Sequence, residues 1–298
     1  MRIQANGLAL EVEDSGPVGD GLPVLLVMGL GMQLTAWPAN FVDPLVRAGH
    51  RVIRFDNRDI GLSARLDHLA VPNLLWESMK LRLGLPVRAP YSVADMAADA
   101  FGVMDALGVR EAHVVGASMG GMIAQRMALA APQRVRTLTS IMSSSGARHL
   151  PGPQPRVLQV LLSRPRDHSE ATVLAHYVRL FQAIGSPAWP VPPEDLRKRI
   201  LESVRRGGYR PAGSARQLAA VAADSNRARE LAGIRVPTLV LHGSDDPLVP
   251  LACGVDTAKR IPGARLVTIP GLGHDLPPGG VERLLEPLLP HLQLGSPQ

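Results

Sequence analysis

Short apolar runs alternate with amphipathic stretches over the first 143 residues of this 298-residue chain. The runs Leu22–Leu30, Arg51–Asp56, Ala112–Gly116 and Arg136–Met142 are rich in aliphatic residues and bounded by turn formers, which predicts strands. Helical spacing falls at 37–48, 92–107 and 119–130. The last of these, opening Met119-Gly120-Gly121-Met122-Ile123, is apolar almost all round, as a helix buried on every side should be. Strands alternating with helices of about 10–15 residues predict βαβ units and a mainly parallel sheet covered on both faces.

The rhythm changes at Ser143, where a run of turn formers begins that ends at Pro155. Helical patterns follow at 156–163, 169–184, 194–206 and 214–224, with no convincing strand among them. In the second, Val173, Tyr177, Leu180 and Ile184 recur at helical spacing, with Leu174, Val178 and Phe181 beside them. Strand-like runs resume at Val236–Leu241 and Ala264–Ile269, and a final amphipathic helix is predicted at 281–292. The pattern thus divides the chain into an α/β core, residues 1–143 and 229–298, and an all-helical insertion, residues 144–228, expected to cap one edge of the sheet. There is no internal repeat.

Composition then excludes several classes. Hydrophobic residues make up 46%, too many for a disordered chain, and the single thiol, Cys253, excludes a disulfide framework and reads as packing. With aromatics at 3% there is no base-stacking surface, so no nucleic-acid partner is expected. Residues 21–42 carry no charge, but their continuous apolar stretch is only Val24–Met28, far short of the roughly 20 residues of a spanning helix. The opening Met1-Arg2-Ile3-Gln4 lacks the apolar core of a secretory leader, so a cytoplasmic protein without membrane insertion is expected. No His, Cys or acidic cluster has metal-ligand spacing, and no cofactor is called for. The oligomeric state is not legible.

Charge is uneven. Residues 144–228 hold 13 basic and 6 acidic residues, a net of +7, against 19 and 20, or −1, elsewhere. A solvated basic helix face explains this, and attraction of an anionic substrate is the sharper alternative.

The chemistry concentrates in three turns. Gly116-Ala117-Ser118-Met119-Gly120 lies between a predicted strand and the buried helix, so the turn would expose the Ser118 hydroxyl and aim helix N–H groups toward it. Serine alone is a poor nucleophile and needs a base with an orienting acid. Leu241-His242-Gly243-Ser244-Asp245-Asp246-Pro247 follows one predicted strand, and Ile269-Pro270-Gly271-Leu272-Gly273-His274 follows the next. Strands in a parallel sheet would bring all three turns to one edge. Asp245 competes with Asp246 as the acid, while His113 and His242 read as hydrogen-bonding residues near strand ends.

These turns resemble the α/β-hydrolase superfamily, and the likeness covers nearly the whole chain. It extends to Met28-Gly29-Leu30-Gly31 and to Phe55-Asp56-Asn57-Arg58-Asp59-Ile60-Gly61-Leu62-Ser63, and is closest to bacterial capped esterases of the aclacinomycin methylesterase type. The resemblance implies an α/β-hydrolase fold with a mainly parallel sheet and Ser118, His274 and Asp246 as a catalytic triad, Asp246 being the acid before proline. Met28 stands where many relatives carry His, so the implied oxyanion donors are the backbone N–H groups of Leu30 and Met119. The Asp56–Ser63 segment reads as a supporting turn. The implied substrate is a small or medium, largely apolar carboxylic ester. Gly29, Trp76, Tyr177, Phe181 and Trp189 are candidate substrate contacts, although the last three, with Leu161 and Leu162, also read as helix core. Leu74, Leu75 and Trp76 sit in what reads as a long connection. The same triad also serves C–C hydrolases, lactonases, perhydrolases and acyltransferases, and some relatives are ligand receptors.

Overall fold

A computed structural model describes residues 1–17 and 21–294. In chain order the elements are β1 (Arg2–Ala5), β2 (Leu8–Ser15), β3 (Val24–Val27), α1 (Ala39–Arg47), β4 (Val52–Phe55), α2 (Leu74–Arg82), α3 (Val93–Ala106), β5 (Ala112–Ala117), α4 (Met119–Ala130) and β6 (Val135–Ile141). Then come α5 (Pro155–Leu162), α6 (Glu170–Ile184), α7 (Pro193–Gly207), α8 (Pro211–Ala223), α9 (Arg227–Glu230), β7 (Thr238–Gly243), α10 (Leu251–Arg260), β8 (Arg265–Ile269) and α11 (Pro278–Gln293).

The eight strands form one sheet in the order β1-β2-β4-β3-β5-β6-β7-β8. From β4 to β8 every neighbour is parallel, while β1 and β2 add an antiparallel edge. Alternate residues of a strand face opposite sides. Leu25 and Val27 accordingly join a core under α3 and α4, with Val103, Ile123 and Met127, while Val24 and Leu26 join one under α1 and α11, with Phe41, Leu45 and Leu288. Both faces are covered, which is why β3 reads as an unbroken apolar run.

The β1–β2 hairpin escapes the alternation pattern. Its turn is Asn6-Gly7, both at positive φ, the dipeptide that a two-residue hairpin turn favours. A second difference is α2, which occupies the segment expected to be a plain connection. Asn73 caps it by accepting from the Trp76 amide at 3.2 Å. The helix is turned inside out. Leu75 and Trp76 are 84% and 52% exposed, whereas Glu77 is buried and accepts from Lys80 and the Arg88 amide.

Between β6 and β7 the chain forms only helices. Leu174, Leu196 and Ile200 make a small core of their own, with Tyr177 and Phe181 packed against it. Part of the excess positive charge in this segment is spent inside the protein. Arg216 makes a buried two-pronged pair with Asp59 (both contacts 2.8 Å), Arg206 reaches Asp56 at 2.7 Å, and Arg227 pairs with Asp224 and donates to Gln125 at 2.8 Å. Burial opposes the Asp59 carboxylate, but Arg216 and the Leu66 amide outweigh it and hold its pKa below the ordinary value. Arg197, Lys198 and Arg199 on α7 remain exposed. Among the described residues no helix is long and apolar enough to cross a membrane.

His113 is fully buried on β5, with Nδ1 2.9 Å from Thr137 Oγ1. Burial, aided by His50 and His291, pushes its pKa from 6.5 down to about 4. The unfolded chain therefore takes up this proton near pH 6.5 and the folded chain only near 4, so stability is full above 6.5 and declines as pH falls toward 4. At pH 5.5 the loss from this one imidazole should be on the order of 1 kcal/mol. Urea unfolding at pH 7.5 and 5.5 should show that fall, and His113→Asn should show a smaller one.

Candidate active site

Ser118 sits where β5 turns into α4, with φ 55° and ψ −122°. Its amide donates to Ile141 O at 2.9 Å, and its carbonyl accepts from Ser143 Oγ at 2.7 Å, which fixes the strained turn from the β6 side. Strand and helix approach so closely that side chains are excluded. A Cβ on Gly116 would fall on the Gly120 carbonyl, and one on Gly120 would fall on the Val27 carbonyl. Because the obstacle is backbone, Gly120→Ala should leave little soluble protein, or lower the melting temperature by about 5 °C or more, roughly a 3 kcal/mol loss in a chain of this size.

The loops after β7 and β8 bring the partners. His274 Nε2 lies 3.0 Å from Ser118 Oγ, and His274 Nδ1 lies 2.7 Å from Asp246 Oδ2. With Nδ1–H donating to the carboxylate, Nε2 is left as the acceptor for the serine hydroxyl. Asp246 is buried, and its other oxygen accepts the amides of Leu248 and Val249 at 2.9 and 2.8 Å. These bonds orient the carboxylate independently of the histidine. Asp245 instead points to the surface, where it accepts from Ser244 Oγ and the Gly271 amide.

His242 lies behind the acid, donating through Nε2 to Val249 O at 2.7 Å. Burial lowers its pKa, which keeps the ring neutral. The helical insertion also reaches this loop. Ile184 O accepts the His274 amide at 2.8 Å, and Ser186 Oγ accepts the Gly273 amide at 2.8 Å. Neither residue has a sequence signal that points to the histidine.

The Met28–Met32 loop closes the other side of Ser118. A Cβ on Gly29 would lie 3.1 Å from Ser118 Cβ and 3.6 Å from its Oγ, so Gly29 borders the hydroxyl. Among the described residues, the amides of Leu30 and Met119 donate to no protein acceptor. Met119 is the first residue of α4, where an amide has no intrahelical partner. The Asp56–Ser63 turn braces this loop from behind. Asp56 accepts the Leu34 and Leu62 amides at 2.7 and 2.9 Å, and Asn57 Nδ2 donates to Met28 O at 2.9 Å.

The structure thus gathers Ser118, His274, Asp246, Gly29, Leu30 and Met119 at one place. The remaining candidate contacts lie in other surroundings. Tyr177 and Phe181 pack on the core of the insertion, and Trp189 packs against the α11 side of the sheet, its ring beside Gly279. Trp76 lies on the exposed face of α2.

A family model described as the α/β hydrolase fold matches residues 23–278. Rhodomycin D methylesterase DnrP of Streptomyces peucetius is 31% identical, with 92% of each chain covered. Rhodomycin D methylesterase DauP of Streptomyces sp. strain C5 is 32% identical over 99% of this chain and 98% of its own. Among solved structures, the meta-cleavage product hydrolase CumD of Pseudomonas fluorescens superposes with a TM-score of 0.76 at 22% identity, covering 99% of this chain and 98% of that one. The chain belongs to the α/β hydrolase fold family.

Proposed function

We propose that this protein is a serine carboxylesterase that hydrolyses a small or medium, largely apolar ester through an acyl-enzyme. The observation that carries the reading is the unbroken hydrogen-bonded line Asp246–His274–Ser118, ending beside two amides that have no protein acceptor among the described residues. Ser118 Oγ attacks the ester carbonyl carbon as its proton passes to His274 Nε2. The Leu30 and Met119 amides take the developing oxyanion, and Asp246 stabilises the imidazolium. The tetrahedral intermediate collapses by expelling the alkoxide, which receives the proton from Nε2. Water then attacks the acyl-enzyme by the same route, releasing the acid and restoring the Ser118 hydroxyl. Likeness to two methylesterases supports a carboxylic ester as the substrate class.

In this reading residues 144–228 act as a cap over the carboxyl edge of the sheet, on a core of residues 1–143 and 229–298. Initial rates on p-nitrophenyl esters from acetate to dodecanoate test the assignment. Saturable turnover with an optimum at one acyl length is expected, and the optimum measures the space beneath the cap. No turnover at any length, from folded protein whose Ser118 is still labelled by a fluorophosphonate, would favour C–C hydrolysis, acyl transfer or ligand sensing instead.

A further inference from the structure

We infer that Gln217, on helix α8 of the insertion, is a positioning residue that sets the orientation of the Leu30 amide. The inference rests on the esterase reading, in which that amide binds the oxyanion. The Leu30 N–H belongs to the peptide joining Gly29 to Leu30, and both flanking peptides are pinned by buried side-chain amides. On one side Asn57 Nδ2 donates to Met28 O at 2.9 Å. On the other, Gln217 Oε1 accepts the Gly31 amide at 2.8 Å. The Gly29 carbonyl between them accepts the Met32 amide at 3.3 Å. With these three groups held, the Leu30 N–H is left, among the described residues, as a loop donor without a protein acceptor.

The orientation of Gln217 is itself fixed. Its Nε2 donates to Arg58 O at 3.0 Å, so one end meets only a donor and the other only an acceptor, and the amide has one satisfied orientation. The side chain is fully buried, where an unpaired amide is costly. Its neighbour Arg216 anchors α8 through the buried pair with Asp59. Gly31 has φ +71°, and a Cβ there would lie 3.0 Å from Ser214 Oγ on the same helix, so α8 packs directly on the loop. The loop is therefore held between the core, through Asn57, and the insertion, through Gln217. An amide preorganised toward a developing charge contributes to catalysis only when its direction is maintained, and a displacement of 1 Å can cost about 10²-fold in rate.

The test is steady-state kinetics of Gln217→Met on the preferred p-nitrophenyl ester, with inhibition by a trifluoromethyl ketone, which forms an oxyanion-bearing adduct on Ser118. We expect kcat to fall about 10–100-fold with KM within about twofold, and ketone affinity to fall by the same factor as kcat. Gln217→Asn, one methylene shorter, should show a smaller loss of the same kind, and it tests the inference if Gln217→Met does not fold. Wild-type kcat and ketone affinity in either folded variant would overturn the inference. So would a lowered melting temperature with ketone affinity unchanged, because that is a structural role alone. Ser118→Ala, assayed in parallel, separates the two claims. If it retains turnover the esterase reading fails, whereas an inactive Ser118→Ala beside a fully active Gln217→Met sinks only the inference.

Discussion

Ser118→Ala is expected to lower kcat for ester hydrolysis by about 10⁶-fold while leaving the fold intact. Among the described residues the hydroxyl has one hydrogen-bond partner, His274 Nε2, whereas the strained turn is held through the Ser118 amide, bonded to Ile141 O, and the Ser118 carbonyl, bonded to Ser143 Oγ, and alanine keeps both. Alanine also carries no more volume than serine into a turn that tolerates no extra atoms. Circular dichroism melts should therefore coincide within a few degrees while turnover vanishes. A folded variant that hydrolysed esters at near the wild-type rate would remove Ser118 from the chemistry.

The second large effect separates two adjacent acids. Asp246→Asn should reduce kcat by about 10⁴-fold, and Asp245→Asn should stay within about threefold of wild type. The reason lies in what each carboxylate accepts. In Asp246 one oxygen takes the Leu248 and Val249 amides and the other takes His274 Nδ1–H. An asparagine must keep its oxygen toward the two backbone amides, so its NH₂ faces the imidazole. The ring can then accept only at Nδ1, which moves its proton to Nε2, where it opposes the Ser118 hydroxyl instead of accepting from it. Asp245 meets only Ser244 and the Gly271 amide at the surface, and an asparagine oxygen can accept equally well there. Rate–pH profiles of both variants decide the matter. Equal losses would contradict the role given to Asp246.

How much of this was legible in the sequence follows from burial. Strands β3, β5 and β7 are covered on both faces and so appear as largely apolar runs, as does α4, which is apolar all round, whereas β6 is buried but carries Thr137, Thr139 and Ser140. The same logic hides α2. Its apolar side chains face outward and its acid inward, so no periodic stripe betrays a helix. The β1–β2 hairpin was not predicted, although Asn6-Gly7 suits its turn and Leu10 and Val12 alternate with Glu11 and Glu13. In the site, Ser118, Asp246 and His274 stood out because each falls in a turn just after a strand. Tyr177 and Phe181 could not be sorted, since helical spacing is the same for a core face and a pocket wall. Asn57 lies in the segment that read as a supporting turn, but nothing there named Met28 as its partner; Gln217 carries no motif and meets its partner Gly31 across 186 positions of sequence. Only folding places them together.

The carbonyl of Ile184 and the hydroxyl of Ser186 have a consequence for how such a chain changes over generations. Because they hold the His274 loop, the helical segment between β6 and β7 is not an interchangeable module. A foreign segment grafted there would arrive without a carbonyl at the right height, and the histidine would lose its backbone anchor even though no triad residue had been touched. The stretch around residues 184–186 must be inherited together with the loop it supports.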